Sequence, residues 1–248
     1  MIELINIEKY FNDGAGNKVH ALQGINLKIT PKEFVVIVGS NGSGKSTLLN
    51  IIAGTYKPTL GEILFNGKKV KELKDFERSK WIARVFQNPL QGTSPDLSIL
   101  DNFRLASLRT KPKKLILGSN KKFIAEIKAK VSLLGLGLED KVMQNMGTLS
   151  GGQRQALTML MAVMEVPHIL IMDEPTAALD PRNAETLMQS ANKLIAMFNL
   201  TAILVTHNLK EAFIYGNRIL QMKEGRIDKD ILSDSKGRLE LVEMYSWF

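Results

Sequence analysis

Cysteine is absent from the 248 residues, and histidine occurs only three times. No disulfide framework can staple such a chain, and no thiolate can hold zinc or an iron–sulfur cluster. A structural metal site is not expected, and the compartment reads as reducing or indifferent, with the cytosol the simplest setting. Long apolar runs are lacking too. Runs such as Phe34–Val38 and Ile169–Met172 fall far short of the roughly 20 residues that a membrane-crossing helix needs. Their length suits strands buried on both faces. Met1-Ile2-Glu3-Leu4 has neither the basic stretch nor the apolar segment of a secretory leader, so a soluble chain, complete as given, is expected. Aromatic residues are sparse at 6% and do not interleave with basic ones. Lys and Arg outnumber Asp and Glu, 33 to 25, for a formal net charge of +8. Spread as it is, that excess reads as a solvated lysine-rich surface and not as a nucleic-acid face. The densest basic cluster is Arg109, Lys111, Lys113, Lys114, Lys121, Lys122, Lys128 and Lys130, which would face lipid headgroups if the partner is embedded in a membrane.

What is present is ordinary globular composition, 44% hydrophobic and 23% charged, enough to bury a sizeable core. Ile2, Leu4 and Ile7 begin a strand, Asn12 to Asn17 is turn-rich, and Ala21 to Ile29 alternates as a further strand, so the first 30 residues predict antiparallel pairing. Phe34–Val38 predicts a buried strand, followed by a glycine-rich loop and a helix through Leu48, Leu49, Ile52 and Ala53 that Gly54 stops. Leu97 to Met164 reads as mostly helical. Within it Phe123, Ile124, Ile127, Val131 and Leu134 fall at helical spacing over 121–134, and 111–122 reads as a loop. Such a helical block inside an otherwise alternating strand–helix chain predicts a subdomain inserted into a parallel-sheet core. The core resumes with Ile169–Met172. Asp180-Pro181 predicts a helix start, with an apolar stripe from Ala184 through Leu187, Met188, Ala191, Leu194 and Ile195 to Phe198. Ala202–Val205 predicts another buried strand, 208–215 a short helix, and Arg218–Met222 with Arg226–Ile231 a hairpin about Glu224-Gly225.

Two constellations carry chemistry. Gly39-Ser40-Asn41-Gly42-Ser43-Gly44-Lys45-Ser46 fits G-x-x-x-x-G-K-[ST], placed between a strand and a helix. Its glycines let backbone N–H groups approach phosphate oxygens closely, and the following helix adds its N-terminal dipole. Lys45 is expected to reach the β- and γ-phosphates, the Ser46 hydroxyl to ligate Mg²⁺, and Thr47 to add a hydroxyl contact. The loop alone says only that a nucleoside triphosphate is bound. The second constellation is Asp173-Glu174 at the end of a buried strand. Adjacent strand residues point to opposite faces, so the two acids need not share a task. Asp173 suits Mg²⁺ and Glu174 suits orienting or deprotonating an attacking water.

Leu149-Ser150-Gly151-Gly152-Gln153 precedes an apolar helical run. Ser150 and Gln153 are spaced as a capping box, and the two glycines in the first turn weaken the helix, so close approach of a phosphate or another backbone is expected there. An ordinary capped helix would show the same cap. The motif, however, resembles the signature sequence of the ABC ATPases, and further markers follow the family's order. Phe11, with Tyr10 as its rival, resembles the aromatic that stacks on adenine. Gln87 in Val85-Phe86-Gln87 resembles the glutamine that senses Mg²⁺ and the membrane partner. Ala178-Leu179-Asp180 resembles the D-loop, preceded by Ala177 where the family often has Ser. His207 resembles the switch histidine at the γ-phosphate.

The resemblance implies an α/β P-loop NTPase with a RecA-like parallel core, an N-terminal antiparallel β subdomain and an inserted helical subdomain. The core and β subdomain would comprise 1–90 and 166–248, and the helical subdomain 91–165. It implies a head-to-tail dimer in which Lys45, Ser46, Gln87, Asp173, Glu174 and His207 of one chain and Ser150, Gly151 and Gly152 of another enclose each ATP. It further implies a separate membrane permease docked near Gln87 and 91–100, at the cytoplasmic face. The stretches 91–96 and 180–186 look like those of bacterial uptake systems of the tryptophan/tyrosine type or uncharacterised ones, for which an extracytoplasmic solute-binding protein is expected. Val19-His20-Ala21-Leu22 resembles exporters and lipoprotein-release ATPases as well. The long coiled coils and cysteine-bound zinc of repair types, and the second nucleotide domain of translation types, are absent.

Overall fold

Glycine and short apolar runs punctuate this chain, and the elements follow that punctuation. A computed structural model describes residues 1–12, 18–110, 120–237 and 239–247. In chain order the elements are β1 (Ile2–Asn12), β2 (Lys18–Ile29), β3 (Phe34–Val38), α1 (Lys45–Ala53), β4 (Leu60–Phe65), β5 (Lys68–Lys69), α2 (Asp75–Arg78), β6 (Ile82–Val85), α3 (Ile99–Ser107), α4 (Lys121–Ser132), α5 (Gly151–Val163), β7 (Ile169–Asp173), α6 (Pro181–Met197), β8 (Thr201–Val205), α7 (Leu209–Ile214), β9 (Arg218–Lys223), β10 (Arg226–Ile231), α8 (Ser233–Lys236) and α9 (Leu241–Tyr245). They fall into two compact units, 1–82 with 200–248, and 83–199.

In the first unit β1 lies between β2 and β4, antiparallel to both, and β5 closes the sheet beside β4. Ile2, Leu4, Ile7, Leu22, Ile25 and Ile29 are buried, which is the alternation the sequence carries. A second sheet runs β10-β9-β3-β8. Here β3 pairs in parallel with β8 and with β9, and all five of its residues are buried. That is why its sequence is continuously apolar. The β9–β10 hairpin turns at Glu224 and Gly225, both at positive φ (47° and 76°), as a type I′ turn demands. The Gln23 N–H donates to the Gly225 carbonyl at 2.8 Å, stitching the hairpin tip to β2.

The second unit is mainly helical, with β6 and β7 adjacent in its sheet. Phe123, Ile127 and Val131 bury one face of α4, which ends at Ser132, two residues short of the predicted 134. Its start is capped by Asn120, whose side chain accepts from the Phe123 N–H. Asp180 caps α6 with Pro181 at its first position, and Leu187, Met188, Ala191, Leu194 and Ile195 form the buried stripe. The turn over 13–17 and the loop over 111–119, with three lysines of the basic cluster, lie outside the described residues. Among the described residues no helix is long and apolar enough to cross a membrane.

Candidate functional site

The first unit carries the glycine-rich loop and the start of α1. β3 ends directly in Gly39, at φ 156°. A Cβ there would lie 2.3 Å from the Met222 carbonyl oxygen and 2.7 Å from Ser43 Oγ. Gly44, at φ 100°, is the N-cap of α1, and a Cβ there would meet the Ala21 carbonyl at 2.7 Å. Only glycine fits either position, which is the physical content of the spacing. No side chain caps α1. Its first N–H groups and its dipole are therefore offered to an incoming anion. Ser40, Asn41 and Gly42 are exposed, Ser43 is buried, and Ser46 is exposed one residue into the helix beside half-buried Thr47. Ser43 Oγ has no hydrogen-bond partner among the described residues. Lys45 is 6% exposed, and its ammonium donates to the carbonyls of Gly39 and Ser40 at 2.8 and 2.9 Å.

His207 is exposed just past β8, in a tightly held turn. Thr206 Oγ1 donates to Glu211 at 2.7 Å and accepts from the Asn208 N–H at 3.0 Å. The Asn208 side chain caps α7. The imidazole thus sits on a backbone fixed at both neighbours. On β1, Tyr10 and Phe11 diverge. Tyr10 stacks on His20 with ring centroids 4.1 Å apart, and His20 in turn contacts Glu8. Phe11 meets the edge of Tyr56, centroids 5.4 Å apart, under the Lys9 ammonium. Neither ring is in the core.

The second unit carries the acids and the Ser150 helix. Asp173 closes β7 and is half-buried. Glu174 follows at φ 46°, a left-handed conformation that costs a non-glycine residue on the order of 1–3 kcal/mol and clusters at functional sites. Its carbonyl accepts from the Ala177 N–H at 3.2 Å, and the Leu179 N–H donates to Thr176, so the turn aiming Glu174 is closed by its own backbone. Ser150 is the N-cap of α5 with both halves of the capping box formed. Gly151 is open, whereas a Cβ on Gly152 would press on Asn183 of α6 at 3.0 Å. The crowding expected at these glycines therefore arises, at Gly152, from a side chain of the same unit. Sequence reasoning missed Arg154. Its guanidinium donates to the carbonyls of Met146, Gly147 and Leu149 and so fixes the approach to Ser150. It missed Gln155 too, whose Nε2 donates to the Phe86 carbonyl at 2.9 Å, one residue before exposed Gln87. Downstream, Asn102 bonds the backbone of Ser94, Leu97 and Ser98 and shapes the 94–98 loop.

Among the described residues no three His, Cys, Asp or Glu side chains cluster as a metal site. Taken unit by unit, the candidate donors, the Ser46 hydroxyl in the first and the Gln87 amide and Asp173 carboxylate in the second, are hard oxygens. They suit Mg²⁺, which is usually held by one or two carboxylates together with substrate phosphates.

The family model described as ABC transporter matches residues 22–177. A tyrosine transport ATP-binding protein of Clostridioides difficile is 34% identical, over 100% of this chain and 98% of the relative. The lipoprotein-releasing system ATP-binding protein of Saccharophagus degradans is 33% identical, over 92% and 97%. A spermidine/putrescine import ATP-binding protein of Spiroplasma citri is 38% identical over 92% of this chain, which spans only 61% of that relative's length. Among solved structures, a dimeric ATP-binding cassette in a post-hydrolysis state with ADP and phosphate superposes with a TM-score of 0.80 at 32% identity, covering 94% of this chain and 99% of that one. On these likenesses the chain belongs to the ABC transporter family, as a P-loop cassette that binds and hydrolyses ATP.

Proposed function

We propose that this cassette drives solute uptake through a separate membrane permease, working as a head-to-tail homodimer on the cytoplasmic face of the membrane. An extracytoplasmic solute-binding protein would deliver the cargo. The near full-length likeness to a tyrosine transport ATP-binding protein favours uptake of a small solute. The likeness to a lipoprotein-releasing ATPase supports release of cargo as the second reading. The cargo-binding subunits, not this chain, would set the choice.

In this reading Lys45, the loop 40–44 and the first N–H groups of α1 hold the phosphates, with Thr47 alongside. Ser46, Asp173 and Gln87 would hold Mg²⁺, which would supply charge neutralisation at the phosphates. Glu174 orients the attacking water and accepts its proton, and His207 steadies the γ-phosphate. Ser150, Gly151, Gly152 and Gln153 of the second copy close over the same γ-phosphate. Tyr10 or Phe11 stacks on the base. The observation that carries the reading is the uncapped start of α1 behind Gly44, with a buried ammonium resting on the loop's own carbonyls. ATP acts as a bridge between two copies because its terminal phosphate draws donors from both, and hydrolysis removes the bridge.

Glu174→Gln tests this. Its turnover is expected to fall at least ~10²-fold, the scale of losing a positioned catalytic group, with ATP binding retained. Sedimentation with saturating Mg-ATP should show a dimer that the nucleotide-free protein lacks. Parental turnover, or monomers throughout, would contradict the assignment.

A further inference from the structure

Gln155 is 1% exposed, in the second turn of α5, and Ala156, Leu157, Met159 and Leu160 around it are all buried. An amide in such a place needs partners for two N–H donors and a carbonyl oxygen. Nε2 reaches the Phe86 carbonyl at 2.9 Å, while Oε1 has no partner among the described residues. A buried side chain left half satisfied lowers stability relative to an apolar one of similar size. The bond it does make goes to an irregular stretch of backbone immediately before Gln87. The far end of that stretch rests on the same helix. A Cβ on Gly92 would lie 2.8 Å from Thr158 Cγ2, and residues 155 and 158 share one helix face. The segment 86–92 is therefore held at both ends by the helix that begins at Ser150. The Arg84 guanidinium, 4.8 Å over the Phe86 ring, contacts the same residue through its side chain.

We propose that Gln155 is a positioning residue for ATP hydrolysis, whose amide ties the backbone at Phe86 to α5 and so sets Gln87 relative to the Ser150 helix tip. It touches no nucleotide. A displacement of Ser150 by a phosphate is carried along a rigid helix to Phe86, and a displacement of 86–92 by a partner is carried back. The inference rests on the roles proposed above for Gln87 and Ser150.

The test uses the full chain with Mg-ATP. Gln155→Leu keeps the volume and loses the bond. Its kcat should fall by about tenfold, the scale of one net hydrogen bond acting on the barrier. KM for ATP should stay within about twofold, because no nucleotide contact is lost. In a Gln87→Ala background Gln155→Leu should add nothing, since it acts through that residue. Gln155→Glu provides a second readout. Its buried carboxyl, when protonated, can donate to the Phe86 carbonyl as the amide does, and burial favours the protonated form. The ratio of its kcat to the parental value should therefore rise as pH falls, while that of Gln155→Leu stays flat. Parental kcat in Gln155→Leu, effects that multiply with Gln87→Ala, or a flat Gln155→Glu ratio would each overturn the proposal. If Gln155→Leu does not fold, the Gln155→Glu profile decides. Should Gln87→Ala itself turn over at the parental rate, the reading of Gln87 falls and this inference with it. Should Gln87→Ala be impaired and Gln155→Leu not, this inference alone falls.

Discussion

The Lys45 ammonium donates to the Gly39 carbonyl oxygen at 2.8 Å, so the cation of the glycine-rich loop is tied to the end of the strand that presents it. A second bond goes to the Ser40 carbonyl at 2.9 Å, and the residue is only 6% exposed. Phosphate oxygens are better partners, because their own negative charge adds a Coulomb attraction that a neutral carbonyl cannot supply. Lys45→Met should therefore lose the charge that phosphate oxygens would meet, together with the two carbonyl bonds that hold the ammonium in the loop. Its affinity for ATP should drop about tenfold or more, the loss of a charged hydrogen bond of roughly 1.5–3 kcal/mol. Titration calorimetry and the loss of the ATP-dependent rise in melting temperature check that drop.

The two glycines after Ser150 should behave differently. Gly151 has room for a methyl group, with the nearest neighbour, Leu179 Cδ2, at 3.6 Å. Gly151→Ala should fold as well as the parent or better, since alanine favours a helix by about 0.8–1 kcal/mol over glycine. Any defect should appear only in ATP-dependent dimerisation. Gly152→Ala must push Asn183 aside, and that side chain bonds Asp180 at the start of α6. It should lose part or all of the same helix gain through strain. Denaturant unfolding in the absence of nucleotide separates the two.

Much of this arrangement could be read from residue order alone, and the reason differs by element. Phe34–Val38 and Ile169–Met172 stand out because strands buried on both faces are apolar without interruption. α6 stands out because Asp180, Pro181 and a five-residue buried stripe agree. The strand Leu60–Phe65 escaped notice. It sits in the sheet with Ile63 alone fully buried, Leu60 exposed, and Gly61 at φ 90° where a Cβ would strike the Asn6 carbonyl at 2.3 Å. An irregular strand with one core residue has no period to detect. At the candidate site, motif spacing marked the residues expected to touch phosphate. It was silent on Arg154 and Gln155, because their work is done on carbonyls distant in the chain or on bends that carry no side-chain signature.

Arg78 illustrates the same blindness and permits a stability prediction. At 1% exposure its guanidinium donates to the carbonyls of Ile51, Ile52, Val70, Lys71 and Leu73. Ile51 and Ile52 belong to the last turn of α1, where a cation also meets the negative end of the helix dipole. Burial pushes its pKa down to about 10, so it remains charged at neutral pH. Arg78→Leu strands several buried carbonyls at once and should cost about 3 kcal/mol or more. Arg78→Lys should not restore the loss, since a point-like ammonium cannot span the set that a planar fork reaches. Urea unfolding at neutral pH measures both.

Lys236, in α8, gives a pH dependence with a definite sign. Its ammonium donates to the Tyr215 and Gly216 carbonyls at the end of α7. Burial lowers its pKa from 10.5 to about 8. Between those values the unfolded chain holds the proton while the folded one has released it. Unfolding then takes up protons, and stability must rise with pH across that window. Below pH 8 both states are protonated and this residue contributes no slope. Lys236→Met removes the titrating group, so the difference in melting temperature between parent and variant should shift in the parent's favour as pH climbs from about 8 to about 10.5. A difference that stays constant across that range would mean that the ammonium is no more desolvated in the folded protein than in the unfolded chain. Scanning fluorimetry at matched ionic strength is sufficient, because Lys236 is only half-buried and a modest slope is expected.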